Sequence, residues 1–345
     1  MSSRGQQDVS GFAAATTEGR LQCRVCQRRC VLADGETGFC RVRIHRAQRI
    51  VPLTYGRVAA LHWAEVERKP LFHFYPGRIM LSVGSLGCNF RCPGCQNWLL
   101  AHADIKSAIA ETEFISPQKL VELAVEHKAL GLSWTYNEPS VWFEYTLEGA
   151  KLAKARGLLT NYVTNGSLSV DALDAIGPYL DAYRVDIKAF SEGTYPRVAN
   201  FQDYRGILEV AERAKHRWGM HVECVTNVVP TLNDGEDELR RLAGWIANSL
   251  GRETPWHVTR FVPQFKLSGL PATPVATLEQ AQRIGLAEGL RFVYIGNVLG
   301  HPAEDTYCPE CSIVLIQRSG SGPPRVALRG AACPGCGYRL PGRFE

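Results

Sequence analysis

Residues 86–98 read LGCNFRCPGCQNW. The spacing Cys88-x-x-x-Cys92-x-x-Cys95 puts three thiols on one short loop. Iron–sulfur clusters normally take four cysteines. Three thiolates on one loop hold three irons of a cubane and leave the fourth iron to a ligand from outside the protein. A zinc knuckle is the competing reading, but zinc needs a fourth ligand, and none follows Cys95 at the usual spacing.

The loop directly follows an apolar run at 78–84 (RIMLSVG) that reads as a strand. Similar β-like runs recur at 131–136, 158–164, 181–187, 220–228, 256–262 and 290–295. Stretches with apolar residues three and four apart lie between them, at 117–128, 141–156, 202–217, 236–249 and 277–288, and predict helices. Ser116-Pro117 reads as an N-cap before a first-turn proline, and Thr277 with Gln280 three residues on reads as a capping pair. Repeated βα units imply a parallel sheet. The expected fold is α/β, either a barrel or an open doubly wound sheet, with small Cys-rich modules at both ends. Chemistry then belongs at the carboxyl ends of the strands.

Polar residues stand at those ends. Alternation puts Asp186 and Lys188 on one face of their strand. Two charges facing a barrel interior are poor core filler, so they are candidate ligands for a cofactor or substrate. Asn137 and Glu138 follow the second run, and Glu138-Pro139 also reads as a helix cap. Asn165-Gly166 follows the third and also reads as a turn. His257 and Arg260 lie on the sixth, where a core histidine is the alternative. Cys224 reads as a small buried hydrophobe.

Eleven of the 12 cysteines fall into three groups. Cys308-x-x-Cys311 and Cys333-x-x-Cys336 form two knuckles that read as a closed four-cysteine zinc ribbon, with rubredoxin-type iron as the alternative. Cys23, Cys26, Cys30 and Cys40 read as a zinc site or a second iron–sulfur cluster, and their spacing is not the ferredoxin run. His45 is a spare ligand expected at the surface. The N-terminus lacks the apolar segment of an export signal. The expected compartment is therefore the reducing cytoplasm, where clustered cysteines bind metal rather than form disulfides. No apolar run approaches the roughly 18 residues of a membrane span. A net charge of +5 without a dense Lys/Arg block gives no sign of nucleic-acid binding. The expected organisation is a disordered tail (1–20), an N-terminal four-cysteine module (21–75), a core barrel (76–300) and a C-terminal rubredoxin-like ribbon (301–345).

The segments from Cys88 to Trp98, TYNEP (135–139), VTNG (163–166), DIKAF (186–190), NVVPTLND (227–234), PWHVTRFVPQF (255–265) and VYIGNV (293–298) together resemble the radical S-adenosylmethionine (SAM) superfamily. Their nearest likeness is to the AmmeMemoRadiSam-system enzymes, whose core is similar to pyruvate formate-lyase activating enzymes. The resemblance implies a partial (β/α)6 TIM-like barrel, and a 4Fe-4S cluster on Cys88, Cys92 and Cys95, catalytic in reductive cleavage of SAM to a 5′-deoxyadenosyl radical. It further implies SAM contacts from Asn137, Glu138, Asn165, Asp186, Lys188 and His257. The implied partners are an electron donor such as flavodoxin or ferredoxin, a protein or other macromolecular substrate, and AmmeMemo-system proteins. Gly94 departs from the pattern, which has a bulky residue there against the adenine, and Trp98 is the candidate replacement. Two other readings compete: a glycyl-radical enzyme activase, and a non-enzymatic zinc-binding adaptor.

Overall fold

The computed structural model describes residues 12–16, 19–319 and 322–344. Its main sheet has eight strands: β1 (Ala60–Glu65), β2 (Ile79–Gly84), β3 (Gly131–Trp134), β4 (Leu159–Thr164), β5 (Ala182–Asp186), β6 (His221–Val228), β7 (Trp256–Arg260) and β8 (Val293–Gly296). Spatial order follows chain order, from β1 at one edge to β8 at the other. Each neighbouring pair from β2 to β8 is parallel, and β1 runs antiparallel to β2. The sheet is open, as a partial barrel requires, and all seven β-like runs of the core are in it. It exceeds the six-stranded expectation by one parallel strand and by β1.

The crossovers carry α1 (Pro117–Glu126), α2 (Phe143–Ala155), α3 (Val170–Ile176), α4 (Tyr204–His216), α5 (Glu236–Trp245) and α6 (Val275–Ala287). Ser116 caps α1, its hydroxyl accepting from the Lys119 N–H at 3.1 Å. Thr277 caps nothing, because α6 already starts at Val275. The sequence reading missed α3, whose seven residues are too few to display a 3.6-residue period. Its start is nonetheless marked by Ser169, which accepts from the Ala172 N–H at 3.1 Å. Among the described residues, no helix is long and apolar enough to cross a membrane.

Two boundaries need correction. β1 lies in the segment assigned to the N-terminal module but belongs to the main sheet, pairing Leu61 with Val83 and Trp63 with Leu81. The module therefore ends before residue 60. Ala13–Ala15, placed in a disordered tail, forms a strand against Leu21–Cys23; residues 1–11 and 17–18 of that tail lie outside the described residues. The module is no separate body, since Leu21, Val25 and Val42 share one apolar core with the barrel. His45 is buried rather than exposed, its Nδ1 lying 3.0 Å from the Leu32 carbonyl.

The C-terminal segment forms a small antiparallel sheet of Thr306–Tyr307, Val314–Gln317 and Arg325–Val326. Leu315, Ile316 and Leu340 pack against Phe72, Phe292 and Tyr294. Phe292 immediately precedes β8, so the ribbon sits toward the amino ends of the strands.

A buried ion pair ties the N-terminal module to α2. Arg43 donates to both Glu144 carboxylate oxygens at 2.6 Å, and the two side chains are 3% and 8% exposed. Removing one partner strands a buried charge. Arg43→Leu is therefore expected to destabilise the fold by about 3–5 kcal/mol, with the double variant R43L/E144L recovering most of the loss, measured by urea unfolding.

Candidate functional site

A cavity of about 420 Å³ opens at the carboxyl ends of the parallel strands. Cys88, Cys92 and Cys95 all line it. Facing them are Asn137 and Glu138 after β3, Asn165 after β4, Asp186 and Lys188 at β5, and Asn227 and Thr259 from β6 and β7. The parallel sheet thus gathers residues spread over more than a hundred positions into one wall.

The cysteine loop is held by side chains rather than by regular structure. Asn137 Oδ1 accepts from the Ser85 N–H at 3.0 Å, and its Nδ2 donates to the Leu86 and Gly87 carbonyls at 3.3 and 3.0 Å. Gly87 turns at φ +82°, where a Cβ would stand 2.7 Å from Val42 Cγ1 and 2.8 Å from the Cys40 carbonyl oxygen. A left-handed backbone and this close approach both require glycine. Arg91 donates to the Cys88, Phe90 and Phe39 carbonyls at 2.6, 2.8 and 2.7 Å.

Glu138 is buried and well bonded. It accepts from the Asn165 N–H at 2.8 Å, from the Thr164 hydroxyl at 2.9 and 3.0 Å, and from the Ser140 N–H at 3.1 Å. Burial still raises its pKa against those donors. It is a helix cap and a cavity wall at once. Asn165 donates from Nδ2 to Asn89 Oδ1 at 2.8 Å and reaches Cys88 Sγ at 3.9 Å, while its Oδ1 accepts from Ser167. Asn137 and Asn165 thus line the cavity and at the same time spend their amides on the cysteine loop and its surroundings.

Asp186 lies between two cations, accepting from Arg184 at 2.5 Å and Lys188 at 3.0 Å. Burial pushes its pKa up, but Arg184 and Lys188 outweigh that and hold the carboxylate ionised. Burial likewise opposes the Lys188 charge, and Asp186 with Cys92 raises its pKa above the ordinary lysine value. Arg184 escaped the sequence reading, although it shares the alternation that singled out its two neighbours. Thr259 and Asn89 carried no signal of their own.

His257 requires correction. It does not line the cavity; its Nε2 lies 2.6 Å from Glu223 in the buried interior, with Tyr294 stacked on it. Residues 257 and 259 share a face of β7, and Thr259 is the one at the mouth. Arg260 instead donates to the Thr273 carbonyl at 3.0 Å. Trp98 stacks on Phe265 outside the cavity lining. A Cβ on Gly94 would meet Phe261 at 3.0 Å and Leu267 at 3.1 Å, so these side chains fill the space a bulky residue 94 would take. Cys224 is fully buried.

The three cysteines fit the group their spacing implies. They line one cavity with no fourth thiol on their loop. Burial raises the pKa of all three thiols, Cys95 to about 11, so a bound metal has to drive their deprotonation. In the tail the sulfurs of Cys308 and Cys336 lie 3.5 Å apart and those of Cys311 and Cys333 3.6 Å apart. Zn–S bonds of about 2.3 Å in a tetrahedron put sulfurs about 3.8 Å apart, so the tail four are spaced for a single ion. Among the described residues they are the one group of three or more metal-binding side chains whose ligand atoms all lie within 4.8 Å.

Residues 82–246 match the family model of the radical SAM superfamily. An uncharacterized protein of Methanocaldococcus jannaschii is 38% identical over 307 residues, covering 89% of this chain and 90% of its own length. Among solved structures, a radical SAM methyltransferase from Sphaerobacter thermophilus is 15% identical, with 64% of this chain and 67% of that one aligned at a TM-score of 0.47. A domain of pyruvate-formate lyase-activating enzyme from Bacteroides vulgatus is also 15% identical, with 48% and 99% aligned at a TM-score of 0.41.

Asn137→Ala removes the clamp on residues 85–87. Losing bonds worth about 1–3 kcal/mol to a buried turn is expected to speed amide hydrogen exchange there roughly tenfold or more, with α4 and β6 unaffected. Exchange mass spectrometry of the variant checks this.

Proposed function

The chain belongs to the radical SAM superfamily, and we propose from that premise that it reductively cleaves SAM and modifies a substrate at the cavity mouth. The observation that carries this reading is the set of three thiols, without a fourth on their loop, facing a wall of strand-end polar groups. A 4Fe-4S cluster held by Cys88, Cys92 and Cys95 would supply one electron to the sulfonium of SAM, whose bond from sulfur to the 5′ carbon would then break to give methionine and a 5′-deoxyadenosyl radical. The non-enzymatic adaptor reading gives way to that of an enzyme of the radical SAM class.

The chain's own residues supply orientation. Asp186, kept ionised by Arg184 and Lys188, is an acceptor for the ribose hydroxyls or the ammonium of SAM. Glu138 keeps the ends of β3 and β4 in register beside Cys88, a positioning role. Leu267, which lines the cavity against Gly94, offers the apolar surface for the adenine in place of Trp98. The open sheet edge admits one group of a large substrate, and a protein or other macromolecule fits that mouth. AmmeMemo-system proteins are the partners the sequence likeness favours, in a cytoplasmic setting. The four tail cysteines take zinc as a structural ion: among the described residues, none beyond Asn297 lines the cavity, and the ribbon's core lies toward the opposite strand ends.

Anaerobically reconstituted protein given dithionite and SAM is expected to release 5′-deoxyadenosine, and Cys88→Ala, Cys92→Ala or Cys95→Ala to abolish it. No product from the intact, iron-loaded chain would reject the reading. Asp186→Asn should weaken SAM binding roughly ten- to hundredfold, the worth of a hydrogen bond to a charged group, measured by equilibrium dialysis.

Tail variants should behave differently. Cys333→Ser is expected to lose the bound zinc and lower the melting temperature, while the folded fraction still cleaves SAM. Normal zinc content with lost cleavage would assign the ribbon to the chemistry instead.

A further inference from the structure

Beside the cavity lies an open depression of about 620 Å³. Its charged lining is wholly cationic: Arg41, Arg91 and Lys266 stand around it, and among the described residues no carboxylate does. Thr37, His102 and Asn200 complete its polar side chains. Each of these groups can donate a hydrogen bond, and the three cations can do nothing else. The two exposed cations, Arg41 and Lys266, make no ion pair with any described residue. Burial, and then Arg91, Lys266 and Arg41, hold the His102 pKa down at about 4. Its imidazole is therefore neutral near neutral pH, and every charge acting on it is positive.

The arrangement is fixed by the backbone. Arg41 stands in a tight turn, left-handed at φ +67°, with its N–H bonded to the Gly38 carbonyl at 2.8 Å. Arg91 is held by carbonyls of the cysteine loop and lies over the Phe39 ring, 4.8 Å from its centroid. Depression and cavity are one residue apart on two segments. Ala101 lines the cavity and His102 the depression; Leu267 lines the cavity, and Phe265 and Lys266 the depression. The Lys266 N–H bonds to the Pro93 carbonyl at 3.0 Å, and Phe265 stacks on Trp98. Residues 265–267 thus form a ridge with the depression on one side and the three thiols on the other.

We propose that the depression is a subsite for a phosphate group, and that the substrate brought to the cavity mouth is a phosphate ester. A carboxylate offers two oxygens and one charge, too few for two unpaired cations and the neutral donors beside them. A phosphate monoester offers three acceptor oxygens and up to about two charges, and arginine and lysine both bind it with charge-assisted bonds. The volume suits a small-molecule group. The ester's reacting carbon then reaches over the ridge to the cavity. The subsite stands on its own lining; its assignment to the substrate rests on SAM cleavage at Cys88, Cys92 and Cys95.

The test uses the full-length chain reconstituted with iron and sulfide, and inorganic phosphate as the probe at constant ionic strength. Equilibrium dialysis should show one phosphate bound per chain, with or without SAM. The double variant R41A/K266A should weaken binding at least roughly tenfold, and R241A/R283A, which removes exposed cations of α5 and α6, should not. Asn200→Gly keeps the charge and the left-handed backbone at φ +51° but removes a donor, so a roughly three- to tenfold loss is expected. Diffuse attraction to a positive surface would ignore that change. Binding that either depression variant leaves intact, or that SAM displaces, would overturn the subsite. Phosphorus NMR relaxation of the bound phosphate should quicken when dithionite makes the nearby cluster paramagnetic. Unchanged relaxation in iron-loaded protein would overturn the assignment to the substrate. Absence of 5′-deoxyadenosine from that protein would instead strike the radical reading and leave the phosphate subsite standing. A phosphoserine peptide that binds more tightly than free phosphoserine would make a protein the source of the ester, and equal binding a small molecule; either upholds the site.

Discussion

The site depends on how the turn before Cys88 is held. A single side chain, Asn137, bonds the Ser85 N–H and the Leu86 and Gly87 carbonyls. These buried groups have no strand partner at that point, and leaving them unmet costs more than the bonds themselves contribute. The turn can pass there because Gly87 tolerates a left-handed backbone pressed against Val42 and the Cys40 carbonyl. The aim of the three thiols, the seating of the N-terminal module and the junction of β2 with the site are therefore one packing problem. Gly84 belongs to it too: a Cβ there would stand 2.8 Å from the Thr135 carbonyl oxygen.

Much of this was legible in the sequence, for reasons particular to each residue. The seven parallel strands announce themselves because both of their faces are covered, which leaves near-continuous apolar runs. Asp186 and Lys188 were readable because charge in such a run is anomalous. Depth along a strand was not readable. His257 and Thr259 share a face, and only the stagger of β7 against β6, with His257 opposite Val225 and Thr259 opposite Asn227, puts one in the interior and the other at the mouth. Nor could local pattern reveal that Asn137 and Asn165 spend their amides on the cysteine loop, since their partners are 50 or more residues away.

The membership of β1 illustrates the same limit. Its local pattern reads as a strand, but the choice of partner belongs to tertiary structure, and an antiparallel edge strand fits the small module as well as the barrel. The three cysteine groups differ in a comparable way. Spacing in sequence cannot separate one ion from a cluster of several, because both need only loops of the right reach. In three dimensions the tail sulfurs converge as they would on a single ion, whereas neither other set brings three ligand atoms within 4.8 Å of one another.

The segment around Pro341 and Arg343 is tied to the loop that leads into β2. His73 Nδ1 lies 2.8 Å from the Pro341 carbonyl, 268 positions away, and the backbone of Arg343 bonds to His73 and Tyr75. A contact over that span closes a very long loop unless the sheet between its ends has already folded and shortened it. The seam between ribbon and barrel is therefore a late event in folding, and the strands that carry the cysteine loop can assemble before it.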